Sequence, residues 1–191
     1  MFNRRKFIKA SALSAGLLAI DKTSMADAIP SKPTNVANFP IVISTWDFGI
    51  AANADAWKVL SKGGRALDAV EQGVWVPEAD EKNQSVGYGG LPDRDGKVTL
   101  DACIMDELGN CGAVLALEHI KHPISVARKV MEKTPHVMLA GDGALQFALE
   151  QGFKKENLLT PASEKAWKEW LKTAKYEPVM NIENKLYDKA A

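Results

Sequence analysis

The chain has 191 residues, enough for one folded core at roughly 100–200 residues per domain plus a short extra segment. Its 24 basic residues balance 24 acidic ones, so no net field draws it to nucleic acid or to an anionic membrane surface. With 46% hydrophobic and 25% charged residues, it has the composition of a globular protein and not of a disordered chain.

Residues 1–28 read as an export address. MFNRRKFIK opens the chain and is followed by ASALSAGLLAI at residues 10–20, an apolar run too short to span a bilayer. Arg4 and Arg5, then Phe7, Ile8 and Lys9, resemble the twin-arginine pattern for cargo exported already folded, and Ala26-Asp27-Ala28 supplies a small-x-small cleavage site. The alternative is a cytosolic amphipathic start. The first reading predicts a periplasmic or secreted protein whose mature form begins near Ile29, with residues 29–39 as a flexible leader.

The following segments alternate between strand and helix patterns, the mark of an α/β protein. Residues 40–46, PIVISTW, form an apolar, β-branched run and predict a central strand buried on both faces. Asn53 is placed to cap a helix in which Trp57 and Leu60 share a face, stopped by Gly63-Gly64. Leu67, Val70 and Val74 mark a second helix. Residues 78–96 are polar, glycine-rich and without periodicity, the type of long loop that carries function.

Residues 97–105 alternate, with Val98, Leu100, Ala102 and Ile104 on one face and Thr99, Asp101, Cys103 and Met105 on the other. Residues 111–117 are the predicted hairpin partner. Cys103 and Cys111 flank the turn, and a turn centred on Glu107 would place them opposite each other; bridges between neighbouring strands fit the disulfide geometry poorly, so two small buried hydrophobes are expected. Pro123 opens a helix with Ile124, Ala127 and Met131 inward, residues 136–140 predict a short strand, and residues 143–151 a short helix. A last amphipathic helix starts at Thr160-Pro161, with Trp167, Trp170 and Leu171 as its buried stripe.

Few residues bear chemistry on spacing alone. Glu118-His119-x-x-His122 could put two imidazoles on one helical face, but a metal site needs a further ligand and Pro123 interrupts the helix, so no metal is expected. Gly87, Gly89, Gly90 and Gly141-Asp142-Gly143 fit turns better than the ordered phosphate-binding fingerprints. Asp101, an acid within an alternating strand, must face either water or a network of donors.

VGYGGLPDRDGKVTLDACIMD at residues 86–106 resembles the signature of the plant-type asparaginase and glycosylasparaginase family, and SKGGRALDAVEQG at residues 61–73 resembles the helix pair before it. Within that family STWDFG at 44–49, SVARKVMEKTPHVML at 125–139 and NIEN at 181–184 look most like bacterial glycosylasparaginase, so the resemblance covers residues 40–184 and leaves 185–191 as a divergent tail. The resemblance implies part of a four-layer αββα sandwich of the N-terminal nucleophile hydrolase type, incomplete without a β subunit. It implies a precursor that cuts itself into α and β subunits, freeing a threonine whose own amino group serves as its base. That threonine would attack the side-chain amide of an asparagine derivative, and water would release aspartate. The leaving amine carries a sugar in glycosylasparaginases and is ammonia in asparaginases.

The family's cut lies in a His-Asp-Thr sequence directly after the segment that NIEN matches. Here Asn184 is followed by KLYDKAA, and none of the threonines, such as Thr45, Thr99 or Thr160, follows a His-Asp pair. No catalytic residue is therefore assigned within the chain. It is expected to be an α part, a truncated gene product or a chain with a foreign tail, inactive alone, needing no cofactor, and forming oligomers of αβ units.

By the same resemblance Trp46 and Phe48 line the substrate pocket, Ser85 opens the glycine-rich loop beside it, and Asp101 supports the site. Asp47 stands where bacterial members commonly carry asparagine. The alternatives are an asparaginase or isoaspartyl peptidase, an exported binding module that uses the loop at 78–96, or a structural homologue with no ligand.

Overall fold

A computed structural model describes residues 39–175. Residues 1–38, where an export segment and leader are expected, and residues 176–191, with NIEN and the tail, lie outside the described residues. From residue 40 onward the described chain forms an α/β unit with a three-stranded sheet in the order β1 (Thr99–Met105), β2 (Cys111–Glu118), β3 (Met138–Ala140).

The sheet's first pair is an antiparallel hairpin. Its turn is fixed by Asp106, whose carboxylate accepts from the N–H groups of Leu108 and Asn110, each at 2.9 Å. The strands pair Met105 with Cys111 and Cys103 with Ala113, so the turn is centred on Leu108 and not on Glu107. The two cysteines are therefore diagonal neighbours, both free, and Cys103 is exposed where a buried thiol was expected. The alternation predicted for residues 97–105 holds: Leu100 and Ile104 are buried, while Thr99, Asp101, Cys103 and Met105 are exposed.

The chain leaves β2 through helix α3 (Pro123–Lys133) and returns as β3, parallel to β2, as a strand–helix–strand crossover requires. Helix α4 (Gly141–Glu150) follows at once. Together α3 and α4 bury one face of the sheet in a core of Ile104, Val114, Leu117, Ile124, Ala127, Val130, Ala144 and Ala148. The opposite face, carrying Thr99, Asp101, Cys103 and Met105, has no cover among the described residues.

Helices α1 (Gly49–Leu60) and α2 (Ala66–Ala79) form an antiparallel pair ahead of the sheet. They approach closely at Gly73, where a Cβ would stand 2.8 Å from the Ala52 carbonyl oxygen and 3.1 Å from the Ala56 side chain. Helix α1 begins before Asn53, which does not cap it; the Asn53 side-chain Oδ1 instead accepts from Ser44 Oγ and ties the preceding segment to the helix. Gly63, at φ +75°, ends α1 as predicted, since the left-handed conformation costs glycine little. Arg128 joins α2 to α3, with Glu71 at 2.6 Å and Asp68 at 2.7 Å. Ser125 Oγ donates to the same Glu71 and accepts from Trp75 Nε1.

Two further expectations fail. Residues 40–46 form no strand, and Ile43 is 85% exposed. A central strand needs a hydrogen-bonding neighbour and cover on both faces, and among the described residues this segment has neither. It borders an apolar cavity of about 270 Å³ above α1 and α2. Helix α5 (Pro161–Leu171) starts where Thr160-Pro161 predicts, with Thr160 Oγ1 accepting from the Ser163 N–H, but its stripe is not core. Trp170 and Leu171 are exposed, and Trp167 lies against Gly96 and donates to the Arg94 carbonyl at 3.2 Å. The buried contact of α5 is Ser163, which donates to the Gly89 carbonyl. The helix straps the glycine-rich loop down and fills no core.

The one-sided burial of the sheet gives a test. Ile104→Ala should lower the unfolding free energy by about 2–4 kcal/mol, whereas Met105→Ala, on the open face, should change it by less than about 1 kcal/mol. Urea unfolding of both variants checks the register, and equal losses would overturn it.

Candidate active-site cavity

A turn positions the first two site residues. Gly49 N–H donates to the Trp46 carbonyl at 2.9 Å, Ile50 N–H donates to the Asp47 carbonyl at 3.2 Å, and Asp47 Oδ1 accepts from the Phe48 N–H at 2.8 Å. This leads the chain into α1 with Asp47 at the positive end of the helix. The rings of Trp46 and Phe48 stack at 6.4 Å between centroids and 11° between planes, with Trp46 still 68% exposed.

These rings form one wall of a cavity of about 630 Å³. Ser85 and Gly87 of the glycine-rich loop, Thr99 to Cys103 of β1, Pro77 and Glu78 of α2, and Pro123 and Ile124 of α3 also line it. The cavity thus brings together Trp46, Phe48, Ser85 and Asp101, which lie far apart in the sequence. Ser85 is exposed there, with its N–H donating to Asn83 Oδ1 at 3.1 Å.

Asp101 sits where the β1–β2 register shifts between Leu100 and Ala102. Its Oδ1 accepts the Ala116 N–H at 2.7 Å, and Ala116 has φ +49°, a conformation that costs a residue with a side chain energy. The carboxylate thereby closes a bulge that ordinary ladder bonds leave open. Of the two readings for this acid, exposure and a donor network, the structure has both.

Glu78 is a second carboxylic acid in the cavity lining, in addition to Asp101. It is 2% exposed; His122 Nδ1 lies 3.0 Å from its Oε2, and the Ile124 N–H donates to its Oε1 at 3.1 Å. Burial pushes its carboxyl above the ordinary range, against the lowering effect of His122 and of the Ile124 N–H. The ring of His122 stands 5.8 Å from that of Trp75.

The asparaginase family matches residues 42–190 of this chain. The chain belongs to that family. An N(4)-(β-N-acetylglucosaminyl)-L-asparaginase of Elizabethkingia miricola is 64% identical over 182 residues, which cover 95% of this chain and 54% of the relative. Proteins of the same name from Rattus norvegicus and Mus musculus are each 47% identical over 133 residues, covering 69% of this chain and 38% of theirs. The chain thus spans about half or less of the length of these asparaginase-family relatives.

Membership in the asparaginase family agrees with the segments that carried the resemblance, since the glycine-rich stretch and STWDFG border the same cavity. Sequence reasoning missed Glu78 and gave His122 a different part. The polar, aperiodic stretch from residue 78 reads as loop, yet α2 runs on to Ala79 and carries Glu78 as a buried helical residue. His122 was weighed only as a partner of His119 on one helix, but Glu118 ends β2, and His119, at φ +66°, lies outside any helix. One signal was available. Helix α3 opens at Pro123 with no Ser, Thr, Asp or Asn before it, so its first N–H groups had to find an acceptor elsewhere in the chain.

The raised carboxyl of Glu78 has a consequence for stability. An acid with a native pKa above its unfolded one holds its proton more tightly when folded; that contribution is complete below the ordinary carboxyl value and is lost as pH rises through the native pKa. Glu78→Gln removes this titration. The unfolding free energy of Glu78→Gln minus that of the parent chain should therefore rise as pH increases from the ordinary carboxyl value upward. Urea midpoints across that range check it, and a difference that stays flat or falls would contradict the direction.

Proposed function

We propose that this chain is the α part of a glycosylasparaginase, which cleaves the side-chain amide of N-glycosylated asparagine and releases aspartate. The observation that carries this reading is the cavity uniting Trp46, Phe48, Ser85 and Asp101, in a chain 64% identical to a relative bearing that activity in its name. The nucleophile comes from the family pattern: a threonine at the start of a β part, freed by self-cleavage of a longer precursor, with its α-amino group as base. Donors around the carbonyl hold the oxyanion, and water then releases the acyl group as aspartate.

This chain's residues have separate tasks in that reaction. The stacked Trp46 and Phe48 rings exclude water from one side of the reacting amide. Ser85 offers the substrate a hydrogen bond from the loop, and Asp101 keeps the β1–β2 bulge in shape. The open face of the sheet packs against a second sheet from the β part, which completes the αββα sandwich and brings the threonine over the cavity. The αβ units assemble further into oligomers. Residues 1–28, with Arg4 and Arg5, direct the protein out of the cytoplasm.

The direct test is co-expression of this chain with the complementary C-terminal part of the Elizabethkingia miricola relative. The purified complex should release aspartate from N-acetylglucosaminyl-asparagine, and Trp46→Ala should lower kcat/KM at least ~10-fold, equivalent to about 1.4 kcal/mol. A soluble, co-purifying complex without hydrolysis would overturn the proposal, as would turnover by the 191-residue chain alone.

A further inference from the structure

We propose that Glu78 is the positioning residue of the cavity, a buried residue whose side chain ties α2 to the start of α3 and whose main-chain carbonyl seats the glycine-rich loop, so that three of the lining segments meet at one position. The proposal rests on the reading of that cavity as the substrate site. The first segment is α2 itself, whose Pro77 and Glu78 form part of the wall. The second is the start of α3, also on the wall through Pro123 and Ile124. Its cap position, His122, makes no side-chain capping bond, and Pro123 has no N–H to offer. The Ile124 N–H, at the helix's positive end, is taken by Glu78 Oε1 at 3.1 Å, so a carboxylate from another helix supplies the cap. The other oxygen, with His122 Nδ1 at 3.0 Å, fixes the residue just before the helix.

The third segment is the glycine-rich loop. The Glu78 main-chain carbonyl accepts the Tyr88 N–H at 2.8 Å. Gly87, at φ +62°, passes so close that a Cβ built on it would fall 2.1 Å from that same oxygen. The loop carrying Ser85 is thus seated directly on the residue whose side chain caps α3. A shift of Glu78 moves Ser85 and the mouth of α3 together. A residue serving bulk stability alone would have no such directional connection to the cavity.

Amide hydrogen exchange on the full chain tests the positioning, with Glu78→Gln, Glu78→Ala and Glu78→Asp compared. Glu78→Gln keeps an oxygen for the Ile124 N–H and should leave exchange at Ile124 and Tyr88 within about threefold of the parent. Glu78→Ala, and Glu78→Asp, which keeps the charge but is one methylene short, should speed exchange at both amides at least ~10-fold while Val114 and Val130 stay unchanged. Glu78→Asp decides the matter if Glu78→Ala does not fold. Uniform acceleration through the core, or none at Ile124 and Tyr88, would overturn the proposal.

Kinetics of the co-expressed complex supply the second measurement. Glu78→Asp should raise KM at least ~10-fold with a smaller change in kcat, and Glu78→Gln should restore KM to within about threefold. Altered exchange with an unaltered KM would also overturn the proposal, because Glu78 would then serve structure only. A parent complex without hydrolysis would refute the functional reading instead, and the exchange result would still decide whether Glu78 holds the three segments.

Discussion

Among the described residues the sheet is buried on one face only, and the rest of the described structure depends on that constraint. Helices α3 and α4 close over Val114 and Leu117 of β2, and Val130 of α3 is fully buried with them in the main apolar core of the described chain. The remaining elements attach to this layer at specific points. The α1–α2 pair is joined to α3 through Arg128 and Glu71, and α5 is joined to the glycine-rich loop through Ser163. The uncovered face, with Asp101 and Cys103, borders the cavity. A surface that would elsewhere be cost without benefit is here the floor of the candidate site.

Within this arrangement Glu78 is the energetically costly choice. Burying a carboxylate costs several kcal/mol, and hydrogen bonds to a charged group return about 1.5–3 kcal/mol each. With the Ile124 N–H and His122 as its partners, the side chain comes close to break-even and adds little net stability. What it provides is a fixed geometry between α2, α3 and the loop. A neutral local cap such as serine at position 122 would satisfy α3 at lower cost, but it would leave the helix start without a tie to the wall on which Ser85 sits.

Much of this fold was legible because local chemistry and tertiary burial agree over those stretches. The alternation at residues 99–105 reflects a strand with one wet face. Asp106 and Asn110 mark their turn by side-chain capping, and Pro123 and Thr160-Pro161 mark helix starts that packing did not alter. The failures share one cause: the pattern shows what a segment can bury but not what is there to bury it. Residues 40–46 have the apolar run of a central strand without a neighbour among the described residues, and Trp170 and Leu171 have the spacing of a core stripe on a helix that straps a loop. The positions of Trp46, Phe48 and Ser85 came from family resemblance, and the structure adds that they share a cavity. Glu78 stayed hidden because its partners lie 44 and 46 residues further along the chain, beyond the range of any local pattern.

The central claim is that this cavity is one half of a substrate site completed by a second part of the same precursor. A crystal structure of the co-expressed complex with aspartate bound tests it most directly. The account predicts aspartate in the cavity, in contact with Ser85 and beside the Trp46 and Phe48 rings, with the β part's threonine facing it and its sheet covering Asp101 and Cys103. Aspartate bound elsewhere, with the cavity filled by side chains of the second part, would contradict it.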